Sequence, residues 1–194
     1  MSLTAHLTPP LRELLGLARF GIKPGLSTIG TLTAALGAPQ EAYRSILVAG
    51  TNGKGSVVAM VDQGLRSSGY RVGRYTSPHL LNLTERFVVD GKPISEAALT
   101  AAAERLFRKI DYLLAAGQLP QPPTFFEATT ALALDYFHRQ DVAIAVLEVG
   151  LGGRLDATNI VTPIAGVITP ISLDHEQYLG NRIETIAVEK AGII

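Results

Sequence analysis

The 194-residue chain contains no cysteine. That excludes a disulfide framework and any thiolate-held metal, and makes a reducing compartment the simplest setting. A surplus of charge is missing too: 17 Lys+Arg balance 17 Asp+Glu. With no net field to gather polyanions, neither nucleic acid nor a membrane surface is an expected partner, and any phosphate chemistry must come from a local site. No apolar run approaches the ~18 residues that cross a bilayer. The opening MSLTAHLTPPLREL has neither the charged nor the apolar region of a secretory signal. The expected location is therefore cytoplasmic. Charged residues are also sparse, at 18% against 47% hydrophobic, and this excludes a solvated, disordered chain. At 20.6 kDa the chain has the size of one large domain or a small pair.

What is present reads as alternating helices and strands. Residues 9–20 and 27–36 are two short helices separated by the Pro24-Gly25 turn, with Ser27 as N-cap of the second. The apolar run Ser45–Ala49 passes into GTNGKGS. A helical stripe of Val57, Val58, Val61 and Leu65 follows, and then a strand over Val72–Thr76. Strand, glycine loop, helix and strand make a βαβ unit of a parallel sheet. Residues 84–94 read as a hairpin turning at Asp90-Gly91. Ser95 opens a long helix, and the capping box Thr124-Phe-Phe-Glu127 opens another over 125–138. Val142–Val149 and Ile164–Thr169 are nearly unbroken apolar runs, expected to be strands buried on both faces. A last helix spans about 183–191, and Ile193-Ile194 read as the start of another buried strand, so the chain is expected to stop inside its domain.

The strongest chemical signal is Gly50-Thr51-Asn52-Gly53-Lys54-Gly55-Ser56. Between a strand and a helix, such a loop turns backbone N–H groups and the positive end of the helix toward an anion. Its glycines let phosphate oxygens approach closely, Lys54 reaches the β/γ phosphates and Ser56 reaches a Mg²⁺. The common P-loop spacing is not kept, since Val48 holds the first-glycine position and Gly55 separates Lys54 from Ser56. A dinucleotide site is dropped, because VGRYTS offers no ribose-binding acid. Glu148 closes a buried strand, where a carboxylate is costly unless paired or bound to a cation. Asp174 and His175 follow the next strand, and Thr76-Ser77-Pro78-His79 follows the second; all belong at the edge where open α/β sheets bind ligands. This combination points to a metal–phosphate centre.

Together, VAGTNGKGSV, YTSPHL, the TER segment, FFEATTALALDYF, LEVGLGGRLDATNI, SLDHEQYLG and EKAGII resemble the Mur ligase superfamily. Within it they resemble the folylpolyglutamate synthase/dihydrofolate synthase branch. The resemblance implies an open, mostly parallel P-loop-type α/β sheet with helices on both faces, the central domain of such a ligase. It also implies an ATP-dependent carboxylate–amine ligase that adds L-glutamate to dihydropteroate or folate through an acyl phosphate. By motif match, residues 50–56 hold ATP, with Lys54, His175 and Lys190 in catalytic positions. Ser77 and Glu148 match ligands of one Mg²⁺ and His175 a ligand of a second. Lys190 matches a lysine that is carbamylated in the superfamily, which turns a cation that would repel the metal into an anion. The pterin-binding stretches would be Ile22, Lys23, Pro24 and Gly25; Thr124, Phe125, Phe126 and Glu127; and Leu155, Asp156 and Ala157.

Such ligases carry a further C-terminal domain, so residues 1–194 are expected to be an incomplete N-terminal and central ATP-binding portion, with little ligase activity alone. The full-length enzyme is expected to be monomeric. Two other readings stay open: a P-loop nucleotide-binding module that takes no pterin, and a folded, non-catalytic remnant.

Overall fold

A computed structural model describes residues 7–194. The reading of the first residues as non-secretory falls partly on residues 1–6, outside the described residues. Among the described residues no helix is long and apolar enough to cross a membrane.

The first helix, α1 (Pro9–Gly16), runs into a 3-10 turn over Leu17–Phe20, and α2 (Ser27–Ala35) follows. Leu26, not Ser27, occupies the N-cap of α2. Ser27 has already entered the helix, and its carbonyl accepts the Thr31 hydroxyl. Next come β1 (Arg44–Ala49), α3 (Lys54–Ser67) and β2 (Val72–Tyr75), which is the expected βαβ unit. In the 84–94 segment only β3 (Phe87–Val89) and β4 (Lys92–Pro93) are strands; Leu83–Arg86 is a 3-10 turn closed by an Asn82–Glu85 capping box. The remaining elements are α4 (Glu96–Ala115), α5 (Phe125–Arg139), β5 (Ile144–Glu148), β6 (Ala165–Ile168), α6 (Glu176–Leu179) and α7 (Ile183–Ala191).

One six-stranded sheet runs in the order β4-β3-β2-β5-β1-β6. β2, β5, β1 and β6 are mutually parallel, while β3 and β4 add an antiparallel edge. Side chains alternate across the sheet. Ile46 and Val48 of β1, with Val72, Ile144 and Val146, pack on Val57, Val58, Val61 and Leu65 of α3. Leu47, Ala49, Tyr75, Ala145 and Leu147 face the layer built by α1, α2, α4 and α5. Helices thus cover both faces, as the apolar runs require.

The burial of the last strand differs from expectation. β5 is buried along its whole length, but β6 is exposed at Ala165 and Gly166 and only half-buried at Val167 and Ile168, because it pairs on one side alone. At residues 193–194, Ile193 is buried and Ile194 exposed, and the Ile194 N–H turns back to the Ala191 carbonyl.

Candidate active site

Four parallel strands end at one edge of the sheet, so the loops after β2, β5, β1 and β6 stand side by side in that order. They carry Ser77, the glycine loop and the Thr169–His175 segment, and Glu148 is the last residue of β5 at the same edge.

The glycine loop is shaped by its backbone. Gly50 has φ +142°, and a Cβ there would lie 1.7 Å from Thr169 Oγ1. Gly53 takes the left-handed conformation (φ 84°) as N-cap of α3, with no side-chain cap on the amides that follow. Uncapped amides at the positive end of a fourteen-residue helix suit an anion. The far side of the loop is pinned: Thr51 N–H donates to Pro170 O (3.1 Å), and the Thr51 hydroxyl exchanges hydrogen bonds with the Ser172 backbone. Lys54 Nζ donates to Gly50 O and Thr51 O (3.1 and 3.2 Å), and Lys190 Nζ donates to the same Gly50 O at 2.9 Å.

Lys190 is buried, and its pKa is lowered by desolvation first and by the Lys54 charge second. Two ammonium groups on one carbonyl favour the neutral form of the more buried one. Glu148 shares the strand parity of Ile144 and Val146, so it faces the start of α3. Its carboxylate oxygens lie 3.7 Å from where a Cβ of Gly55 would be. Glu148 Oε2 accepts the Ser77 N–H at 2.9 Å. Burial pushes this carboxyl up, opposed by the Ser77 N–H and the charges of Lys54 and Arg86.

Beside this edge lies a cleft of about 510 Å³. Its walls include Ile22, Lys23 and Pro24, Thr124 to Glu127, and Leu155 to Ala157, together with Ser77 and His175. Three segments that lie far apart in the chain, 22–24, 124–127 and 155–157, are therefore brought to one cavity. Gly25 is not in the wall, but its N–H donates to Leu155 O and ties two of the segments together. Residues 50–56, Glu148 and Lys190 line none of this cleft; the loop is a separate subsite, joined to it through the Glu148–Ser77 contact. The acids in the wall are already engaged. Glu127 Oε2 accepts from Thr124 N (2.7 Å) and Thr124 Oγ1 (2.8 Å), and Asp156 accepts from Leu151 N, Thr158 N and Thr158 Oγ1. The aromatic wall is set by Tyr75, whose ring lies 6.0 Å from Phe126 and whose hydroxyl pairs with Thr129 Oγ1 at 2.8 Å.

Sequence reasoning gave no role to several wall residues: Arg86, Arg154, Tyr178 and Glu189 among them. Arg154 and Glu189 form an ion pair at 2.8 Å. For Arg86 the signal was at hand in the TER segment, but burial of an arginine is not readable from three letters.

Among the described residues no group of three or more His, Asp or Glu side chains is placed to hold a metal ion. The oxygen donors on hand, the Glu148 carboxylate and the Ser77 hydroxyl, suit a Mg²⁺ that keeps most of its shell as water and phosphate oxygen. His175 stands in the cleft wall, about half exposed, with Nε2 at 3.7 Å from Asp174 Oδ2.

A mostly parallel sheet with a glycine loop running from β1 into α3 is the architecture of α/β domains of the P-loop type. The Mur ligase middle domain family matches residues 48–194, most of the chain, and the chain belongs to that family. It is 47% identical over 184 residues to the dihydrofolate synthase/folylpolyglutamate synthase of Bacillus subtilis, covering 92% of this chain and 41% of that protein. The apo form of L. casei FPGS superposes with a TM-score of 0.91 at 39% identity, covering 100% of this chain and 46% of that one. The E. coli FolC complex with DHPP and ADP superposes with a TM-score of 0.85 at 41% identity, covering 96% and 44%. The chain spans less than half the length of each of these relatives.

Proposed function

We propose that these residues form the nucleotide- and pterin-binding part of an ATP-dependent ligase that joins L-glutamate to dihydropteroate or folate through an acyl phosphate. The observation that carries this reading is the Glu148–Ser77 contact. It joins an uncapped helix N-terminus, suited to a triphosphate, to a mostly apolar cleft of the size that holds a small ligand. Relatives that span the whole enzyme bear the names of this activity, and one is solved with DHPP and ADP together.

In this reading the amides after Gly53 bind the triphosphate, and Lys54 exchanges its two carbonyl partners for phosphate oxygens. Phe125 and Phe126 supply apolar walls for a flat heterocycle. The substrate carboxylate lies beside Ser77, in line with the loop, where its oxygen attacks the γ-phosphorus; the bond to the β-phosphate breaks, ADP leaves and an acyl phosphate forms. The amine of glutamate then displaces phosphate to form the amide. Glu148 and Ser77 would hold one Mg²⁺, and His175 would approach a second. Bound there, the metal ions neutralise charge as two anions approach. Lys190, desolvated and favoured as the neutral amine, is suited to take up CO₂ as a carbamate. The 194 residues by themselves are assigned binding without turnover.

The test is Lys54→Ala, with Mg-ATP affinity read by calorimetry. Hydrogen bonds to a charged partner contribute about 1.5–3 kcal/mol, so a loss of tenfold to a hundredfold or more is expected. Unchanged ATP affinity in that variant sinks the assignment.

A further inference from the structure

The wall of the cleft contains one cation placed unlike the rest. Arg86 is only 6% exposed, yet among the described residues it forms no ion pair. Its Nε donates to His79 Nδ1 at 2.9 Å, and its guanidinium carbon lies 5.1 Å from the Phe125 ring centroid. Among the described residues no protein acceptor is bonded to Nη1 or Nη2, and the residue borders the cleft.

Each of these contacts fixes orientation without neutralising charge. His79 accepts on Nδ1, so its proton sits on Nε2 and the ring is the neutral tautomer. Phe125 offers a ring face that attracts the guanidinium without supplying an anion. The backbone is held too, since the Arg86 carbonyl accepts the Thr76 N–H at 3.2 Å, at the end of β2. A desolvated cation is costly unless an anion completes it. Of the carboxylates in the same wall, Glu127 and Asp156 are spent on the turns they close and Glu189 on Arg154. Glu148, near enough for the Arg86 charge to act on its carboxyl, bonds the Ser77 N–H and makes no ion pair with Arg86 among the described residues. A planar guanidinium held by Nε and one face leaves its two terminal nitrogens as a fork that matches a carboxylate.

We propose that Arg86 is the residue that binds the ligand's carboxylate in this cleft. Its free Nη edge grips the anion while Phe125 and the neutral His79 hold the guanidinium in place. The inference rests on the pterin reading above and adds to it the group that selects an acid over its neutral analogue.

The test compares two probes on the 194-residue chain by calorimetry: dihydropteroate, and the same molecule with its carboxylate converted to a carboxamide. The parent chain should prefer the acid. Arg86→Gln should weaken dihydropteroate by about tenfold to a hundredfold and leave the carboxamide within about twofold of the parent, erasing the preference. Arg86→Lys, which keeps the charge and loses the fork, should fall in between. Equal loss of both probes in Arg86→Gln would mean that the residue only shapes the cleft, and would overturn the proposal; so would an Arg86→Gln chain that still prefers the acid. A parent chain that binds neither probe defeats the pterin reading itself, and this inference with it.

Discussion

Replacing Gly50 by alanine is the most demanding test of the glycine loop, because its cost can be worked from the coordinates. The new Cβ would lie 1.7 Å from Thr169 Oγ1, 2.8 Å from Thr169 Cβ and 3.0 Å from the Thr169 backbone nitrogen. Rotating the threonine removes the first contact and not the other two. It would also break the hydrogen bond from Thr169 Oγ1 to Ala49 O. Overpacking a tight site costs ~1–3 kcal/mol. The φ of +142°, which residues with a Cβ rarely adopt, adds ~1–3 kcal/mol. The expected loss of ~2–6 kcal/mol is large beside the ~5–15 kcal/mol that holds a domain folded. Urea unfolding measures it. In a Thr169→Gly background the two side-chain contacts vanish, so Gly50→Ala should cost only ~1–3 kcal/mol, the backbone part. ATP binding should weaken as well, because Gly50 O is the shared acceptor of Lys54 and Lys190. A Gly50→Ala chain within ~0.5 kcal/mol of the parent, the range of an ordinary surface change, would refute the argument; so would a cost unaffected by Thr169→Gly.

Further outcomes follow from buried polar groups away from the loop. Asp62 on α3 is fully buried and accepts from Arg66 Nε (3.1 Å) and Arg74 Nη1 (3.3 Å), which clamps the loop-bearing helix to β2. Asp62→Ala should cost ~3–5 kcal/mol in urea unfolding, since it strands two arginines; a loss under 1 kcal/mol would show that the clamp contributes little. Tyr43 donates its hydroxyl to Leu134 O, and burial holds its pKa well above the tyrosine value of 10. Its stabilisation is therefore complete below pH 10 and is lost as pH rises beyond it, where only the unfolded chain ionises. Tyr43→Phe should cost ~1 kcal/mol at neutral pH, and its gap to the parent should close in thermal melts above pH 10. A gap that stays constant to pH 11 would contradict the burial argument.

Much of the architecture was legible because it depends on local rules. The β-branched runs at 45–49 and 142–149, the glycine loop between strand and helix, and the Thr124–Glu127 capping box each satisfy a backbone need within a few residues, and each appears where expected. The misreadings share one cause. Ser27 is a good N-cap residue that lost the position to Leu26, and Ala165–Ile168 is an apolar run that ended at an edge of the sheet. Neither outcome depends on the identity of those residues; both depend on what lies beside them.

The sequence by itself determined the alternation of strands and helices, the glycine loop between β1 and α3, and part of the cleft wall. Side-chain period, turn chemistry and helix caps act over distances shorter than the elements they specify. Only the tertiary structure decided that Ile22–Pro24, Phe125–Phe126 and Leu155–Ala157 wall one cleft, that the glycine loop stands outside it, and that Arg86 is buried there with no ionic partner among the described residues. Those are facts about distance between segments far apart in the chain, set by strand order and by packing on the two faces of the sheet. No local pattern carries them.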